Sequence, residues 1–292
     1  MDETTSSSSP SPDPVVCYKL REIARLMREV IGTPEAGNLD ENHAELISRF
    51  GEHYDHYLRR MHPASGHPGC QYGEEKPLNA LLTPATKDGL YVDVGANHPR
   101  EVSNTWPFYQ HGWRGLLVEP LPSCWSALLY HRPGDWLWPT AASDSRGMAV
   151  LREMAGLSSI RKDWPMADQG EILVETYTLA DILDHFPAVR DGCRLCSIDV
   201  EGHEKEVIEG IDFDRFHPEM FIVEYLTYAP GGRGQDVAWQ WLPVLKRAGY
   251  VVVDKSPLNM ILLSEHKIGE WEKVASWARL CDPEDLKKYE SL

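Results

Sequence analysis

Two regular patterns of hydrophobic and polar positions alternate along most of the chain. Short apolar runs typical of buried strands occupy residues 90–94, 115–119, 136–141, 195–198, 220–224, 250–254 and 259–263. Segments with helical spacing stand among them, at 105–111, 122–131, 179–186, 202–210 and 236–248. Strand–helix–strand order at this spacing predicts parallel pairing and an α/β sandwich. Because only Lys255–Leu258 joins the last two runs, we predict a seven-stranded, mostly parallel sheet that ends in an antiparallel edge hairpin.

The two ends of the chain depart from this alternation. Residues 1–14 are rich in Ser, Pro and acidic side chains, which predicts a disordered tail. Amphipathic spacing over 15–31 and again over 42–61 predicts two helices in an N-terminal extension, 15–68, that could also join two subunits of a homo-oligomer. We assign 69–265 to the main domain, with β-rich additions over 147–178, and 266–292 to a C-terminal helix.

Composition narrows the classes of function. The chain has 45 acidic and 29 basic residues, and a net charge of -16 would repel nucleic acid and anionic membranes. No apolar run of about 18 residues predicts a membrane span, and the first residues lack the features of a signal peptide. The six scattered cysteines favour a reducing compartment over a disulfide framework, with Cys193 and Cys196 as buried strand thiols. We therefore expect a soluble, cytoplasmic protein that binds neither nucleic acid nor a membrane surface.

The stretch Leu90–Pro99 combines an apolar run with an acid and the turn Gly95-Ala96-Asn97. In parallel sheets, ligands bind at the carboxyl ends of the strands. Glu119 ends the next run, 24 residues after Gly95, where an acid can accept both hydroxyls of a ribose or merely favour the dipole of the following helix. A pyrophosphate, as in NAD, would require G-x-G-x-x-G. The single glycine in this turn favours S-adenosylmethionine, which carries no phosphate.

Polar residues also follow the third and fourth predicted strands. Asp144 could accept from an adenine amino group, or act as a structural cap of its turn. The segment Asp199-Val200-Glu201-Gly202-His203-Glu204 places three acids and a histidine at a strand end. Acids at a helix start are also common without any catalytic role. We interpret His203, together with Asp199 and Glu201, as the candidate catalytic group, because an imidazole suits a general base near neutral pH.

Several ordered motifs across 70–263 resemble the FkbM family of methyltransferases. They are Gly-Leu-Tyr-Val-Asp-Val-Gly-Ala-Asn at 89–97, Ser-Asn-Thr at 103–105, Gly-Trp-Arg-Gly-Leu-Leu-Val-Glu-Pro at 112–120, Thr-Tyr-Thr-Leu-Ala-Asp-Ile-Leu at 176–183 and Ile-Asp-Val-Glu-Gly-His-Glu at 198–204. Gln-Tyr-Gly-Glu at 71–74 is similar to a short family motif that covers the cofactor. The resemblance implies the class I, Rossmann-like methyltransferase fold and O-methylation of a sugar, glycan or polyketide hydroxyl. Pro99 stands where many members have glycine.

The resemblance also implies roles for individual positions. The residues implied for the cofactor are Gln71, Asp93, Gly95, Ala96, Asn97, Ser103, Asn104, Glu119, Pro120, Asp144 and Asp199, of which Glu119 would bind the ribose and Asp144 the adenine. Asp199, Glu201 and His203 would face the acceptor. Alternatively, Asp199 with Glu201 or Glu224 could hold Mg²⁺, which would lower the pKa of the acceptor hydroxyl. Two further hypotheses are a cofactor-binding protein without catalysis and an NAD-dependent oxidoreductase.

Overall fold

The computed structural model describes residues 69–82, 88–153, 158–161, 170–228 and 234–292. The predicted tail, the two N-terminal helices and the oligomer contact proposed for them lie outside the described residues. Across the described ranges, no helix combines the length and the apolar character needed to cross a membrane.

Twelve strands are described, separated mainly by short helices. The strands are β1 (Leu90–Val94), β2 (Arg114–Val118), β3 (Trp136–Trp138), β4 (Ala141–Ser143), β5 (Gly147–Glu153), β6 (Gly170–Thr178), β7 (Cys193–Ile198), β8 (Met220–Glu224), β9 (Leu226–Tyr228), β10 (Gly234–Asp236), β11 (Tyr250–Lys255) and β12 (Asn259–Ser264). The α-helices are α1 (Glu75–Leu82), α2 (Trp106–Gln110), α3 (Pro122–His131), α4 (Leu179–Asp184), α5 (Pro187–Gly192), α6 (Glu204–Glu209), α7 (Ala238–Arg247), α8 (Ile268–Ala278) and α9 (Lys287–Glu290).

The main sheet has seven strands in the order β11-β12-β8-β7-β1-β2-β3. Strand β1 pairs in parallel with both β2 and β7, and β7 pairs in parallel with β8. Strand β12 is antiparallel to both of its neighbours, β8 and β11. The predicted fold class, including the antiparallel edge hairpin, is confirmed.

The central strands are mostly apolar, as is typical of parallel strands that are buried on both faces. Val92 in β1, Leu195 in β7 and Ile222 in β8 are all completely buried. Cys193 and Cys196 are free thiols buried in β7, as predicted from the apolar run around them. Acids stand at the carboxyl ends of β2, β7 and β8, namely Glu119, Asp199 and Glu224, and that edge of the sheet holds the candidate site.

The prediction of one strand over 136–141 is wrong, because the structure divides these residues between two strands. The chain forms β3 in the main sheet and then β4 in a second sheet, where β4 pairs in parallel with β6 and β6 pairs antiparallel with β5. Pro139 separates them, because it has no N–H to continue the ladder. Thr140 N donates back to Trp138 O, so the chain turns at this point.

Helix ends follow simple sequence rules. Thr105 is the N-cap residue of α2, with Pro107 in the first turn. Thr178 Oγ1 accepts from Asp181 N and so caps α4. The predicted C-terminal helix is divided into α8, a 3₁₀ turn at Pro283–Leu286 and α9. The chain is extended at Arg279, and Pro283 begins the new turn.

Candidate functional site

A cavity of about 390 Å³ opens at the carboxyl edge of the main sheet, a size typical of small-molecule sites. Its walls come from the segments that follow β1, β2 and β7 and from the end of β8. The predicted residues that line it are Gln71, Gly95, Asn97, Glu119, Pro120, Asp199, Glu201, His203 and Glu224. The predicted residues Asp93, Ala96, Ser103, Asn104 and Asp144 do not line it.

Glu119 joins the turn after β1 to the turn after β2. Its Oε2 accepts from Asn97 N at 2.7 Å, and its Oε1 accepts from Leu121 N at 2.8 Å. Burial raises the pKa of this carboxyl to about 7, although both hydrogen bonds act to lower it. Because each carboxylate oxygen has two lone pairs, each can still accept one hydroxyl from a ligand.

The single glycine of the turn is required by the backbone of the neighbouring strand. Gly95 has a φ of +83°, and a Cβ built on it would lie 1.7 Å from the carbonyl oxygen of Asp199. Asn97 follows with a φ of +41°. The sequence singled out this turn for a ligand, and the structure shows that Gly95 makes a close backbone approach to Asp199.

Asp93 lies below the turn, in a buried network around Arg132. Thr105 Oγ1 donates to Asp93, and Arg132 Nη2 donates to Thr105 Oγ1 and to the Tyr91 hydroxyl, both at 2.8 Å. Arg132 Nε also pairs with Asp135 at 2.8 Å. The network fixes the start of the turn relative to β1. Sequence reasoning missed Arg132 because it lies in the loop after α3, with no motif around it.

Ser103 and Asn104 also help to hold the turn after β1. Ser103 Oγ accepts from Trp106 N at 3.2 Å and from Arg132 Nη1 at 3.4 Å. Asn104 Nδ2 donates to Ser197 Oγ at 3.3 Å, which ties the turn to β7. Their geometry shows how the turn is held, while their predicted contact with a cofactor stays a prediction.

His98 organises the part of the turn around Pro99. Its Nδ1 accepts from Glu101 N at 2.7 Å and from Arg100 N at 3.2 Å. Val102 then adopts a φ of +55°, which is strained for a β-branched residue. His98, Glu101 and Val102 all line the cavity, and the sequence offered no signal for them beyond their proximity to Gly95.

Three acids line the end of the cavity next to β7 and β8. One carboxylate oxygen each from Asp199, Glu201 and Glu224 lies within 4.8 Å of the others. Glu204 lies beside them and accepts from Val200 N at 3.2 Å and Gly202 N at 3.0 Å. Burial raises the pKa of all four, of Asp199 to about 6 and of Glu204 to about 7. We call Asp199, Glu201 and Glu224 the acid cluster.

His203 lies at the edge of the cavity, at the N-cap of α6. Its Nε2 is 3.0 Å from Ser143 Oγ, and its Nδ1 is 3.4 Å from Glu206 Oε2. Ser143 Oγ is also 3.3 Å from Oδ1 of the exposed Asp144, so the hydroxyl can donate to either neighbour. Burial lowers the pKa of His203, which favours the neutral imidazole that a general base requires.

Comparison with known proteins identifies a family for this chain. The family model of the Methyltransferase FkbM domain matches residues 93–252, which is more than half of the chain. A search of curated proteins found no similar sequence.

Two solved structures are among those similar to this chain. The TehB-like SAM-dependent methyltransferase from Corynebacterium glutamicum is 11% identical, with a TM-score of 0.40 over 74% of this chain and 99% of that one. The 1,6-didemethyltoxoflavin-N1-methyltransferase from Burkholderia thailandensis is 11% identical, with a TM-score of 0.36 over 88% of this chain and 92% of that one.

Proposed function

Because the chain belongs to the FkbM methyltransferase family, we propose that it is an S-adenosylmethionine-dependent O-methyltransferase that acts on a hydroxyl of a sugar, a glycan or a related small molecule. One observation carries the proposal. A single cavity has the turn residues Gly95 and Asn97 and the acid Glu119 on one side, and the acid cluster with His203 on the other. One ligand with a ribose and one hydroxylated acceptor would therefore meet in the same space.

The cofactor side suits S-adenosylmethionine better than a dinucleotide. Glu119 keeps one lone pair on each oxygen beyond its bonds to Asn97 N and Leu121 N, and two ribose hydroxyls can donate to them. The turn has one glycine and no G-x-G-x-x-G, so it offers no cradle for a pyrophosphate. Gln71 lines the same cavity and would close over the cofactor.

The acceptor side would orient a hydroxyl and remove its proton. When bound, S-adenosylmethionine supplies an electrophilic methyl group and leaves as S-adenosylhomocysteine. Asp199 and Glu201 would hold the acceptor by hydrogen bonds, so that its oxygen lines up with the methyl carbon. His203 lines the cavity as a neutral imidazole and would take the acceptor proton.

Calorimetry and a transfer assay test the proposal in two stages. The purified chain should bind S-adenosylhomocysteine with one site, and it should methylate at least one member of a panel of sugars and glycosides, as read by the mass of the product. If S-adenosylhomocysteine does not bind, the cofactor assignment is refuted. Binding without transfer to any acceptor would refute the enzymatic part and favour a non-catalytic cofactor-binding protein.

A further inference from the structure

We propose that Asp199, Glu201 and Glu224 form a binding site for a divalent cation of the Mg²⁺ type, within the same cavity. The existence of the site follows from the described residues alone, while its role in methyl transfer rests on the proposed function. The cation would be bound by carboxylate oxygens next to the acceptor hydroxyl.

The position of the acid cluster follows from the register of two adjacent parallel strands. Ile198 of β7 pairs with Val223 of β8, so the next residue on each strand, Asp199 and Glu224, reaches the sheet edge side by side. Glu201 joins them because the chain turns back at that residue, which has a φ of +56°. Oxygens that bind one ion at 2.0–2.6 Å lie no more than about 5 Å apart, and one oxygen from each of these three residues meets that limit.

Two oxygens of the acid cluster have no hydrogen-bond partner among the described residues. Glu224 is 4% exposed, yet its Oε2 is buried and receives no donor from the part of the chain that the structure describes, and the same holds for Oε2 of Glu201. Neighbouring Glu204 shows the contrast, because backbone N–H groups from Val200 and Gly202 satisfy one of its oxygens. Buried charged oxygens without donors are costly and rare in native proteins. Both residues line a cavity in which an ion can be the partner of these oxygens.

The charges around the acid cluster have the same sign. The carboxylates of Asp199, Glu201 and Glu224 lie together, and that of Glu204 lies beside them. A divalent cation bound between the first three would relieve part of the repulsion among these groups. Because all three ligands are hard oxygen donors, the site favours Mg²⁺, Mn²⁺ or Ca²⁺ over metals that prefer nitrogen or sulfur.

The cation would give the acid cluster a role in the transfer step. A cation beside an acceptor hydroxyl polarises the O–H bond and lowers its pKa. His203 accepts the proton, the acceptor oxygen forms the new bond to the methyl carbon, and the carbon–sulfur bond breaks. The cation is unchanged at the end, so the step balances without a further reactant.

Metal binding can be measured without any acceptor or cofactor. The protein is stripped with EDTA and titrated with Mn²⁺ alone, with free Mn²⁺ read by electron paramagnetic resonance, and with Mg²⁺ as competitor. Wild type should bind one Mn²⁺ per chain. Glu224→Gln and Asp199→Asn should each weaken binding by at least about 10-fold, since even outer partners of metal ligands contribute that much. Glu209→Gln is the matched control, because this exposed carboxylate on α6 pairs only with Lys205 among the described ion pairs.

The melting temperature of each variant shows whether it is folded and gives a second measure of metal binding. Without metal, Glu224→Gln should melt at or above the wild-type temperature, because it removes a buried like charge. Added Mg²⁺ should raise the melting temperature of wild type and of Glu209→Gln, but not that of Glu224→Gln. Failure of wild type to bind Mn²⁺, or equal binding by Glu224→Gln and wild type, refutes the cation site.

S-adenosylhomocysteine binding, measured in EDTA, separates this inference from the proposed function. If the nucleoside binds and Mn²⁺ does not, the cation site fails and the methyltransferase proposal stands. If Mn²⁺ binds and the nucleoside does not, the cation site stands and the cofactor assignment fails.

Discussion

Substitution of Glu119 by alanine tests the cofactor side of the cavity most directly. The substitution removes the two oxygens that, in our proposal, accept from the two ribose hydroxyls. A hydrogen bond to a charged group contributes about 1.5–3 kcal/mol. Because water can enter the space left by the side chain, we take the lower bound for each bond, about 3 kcal/mol in total. The affinity for S-adenosylhomocysteine should therefore fall roughly 100-fold.

The same substitution has a structural effect that must be measured separately. In wild type, Glu119 accepts from Asn97 N and Leu121 N, and alanine leaves both N–H groups without that partner. Each N–H that stays unsatisfied costs about 1–3 kcal/mol, so the variant should unfold at lower urea concentration than wild type. Calorimetry is run at a temperature where both proteins are folded by circular dichroism. Glu171→Ala is the control, because it removes an exposed carboxylate of β6 that pairs with Arg152 outside the cavity.

Calorimetry on folded protein can refute the proposed role of Glu119. If folded Glu119→Ala binds S-adenosylhomocysteine within about threefold of wild type, an energy difference below about 1 kcal/mol, Glu119 does not bind the ribose. Its carboxylate would then serve only to join the turns after β1 and β2.

Four further predictions address stability and catalysis. Burial raises the pKa of Glu119 from 4.5 to about 7. Between these two pH values, the folded state holds a proton that the unfolded state releases. The contribution of Glu119 to the free energy of unfolding is therefore full below pH 4.5 and is lost as the pH rises through 7. In urea titrations, the free energy of unfolding of wild type minus that of Glu119→Gln should fall by roughly 3 kcal/mol between pH 4.5 and 8, and a flat difference contradicts the raised pKa. Arg132→Met should lower the free energy of unfolding by about 3–5 kcal/mol. Lys205→Met, at an exposed ion pair, should change it by less than about 1 kcal/mol. Equal effects would show that the buried network around Arg132 stabilises the fold no more than an exposed ion pair does. Gly95→Ala should destabilise the chain by roughly 3 kcal/mol, through its positive φ and the clash of its Cβ, and an unchanged melting temperature would disprove the close approach. His203→Gln should lower kcat at least about 100-fold with little change in S-adenosylhomocysteine affinity, and wild-type kcat in this variant would exclude His203 as the base.

The sequence was most informative where an apolar run stops at a charged residue. The predicted run 220–224 and the strand β8 have identical bounds, and the run 195–198 matches the end of β7. Buried parallel strands are mostly apolar, so the ends of β7 and β8 are visible in the sequence at Asp199 and Glu224, whereas Asp93 lies within β1. For the same reason, the pattern of apolar runs alone is enough to place the candidate residues Asp199 and Glu224 at one sheet edge.

Side-chain contacts between segments distant in sequence could not be predicted. Arg132 approaches Asp93 and Thr105 across the fold, and neither its neighbours in sequence nor its spacing indicates that contact. The break of the third strand at Pro139 depended on a second sheet whose existence the pattern did not reveal. Register is likewise a property of two strands together, so the sequence left open whether Glu201 or Glu224 accompanies Asp199, and the structure brings both within reach.

The contact between Gly95 and Asp199 connects the two sides of the cavity. The turn proposed for the cofactor packs directly on the backbone carbonyl of the first residue of the acid cluster, with no side chain between them. Asp199 N also donates to Val94 O at 3.0 Å, so backbone contacts in both directions fix the distance between the two sides. Side chains of the acid cluster can therefore be exchanged to alter acceptor or cation chemistry without moving the turn, whereas a change at Gly95 must disturb both at once. On this basis, we expect variants of Asp199 and Glu224 to change the acceptor or cation chemistry, and variants of Gly95 to change the alignment of cofactor and acceptor.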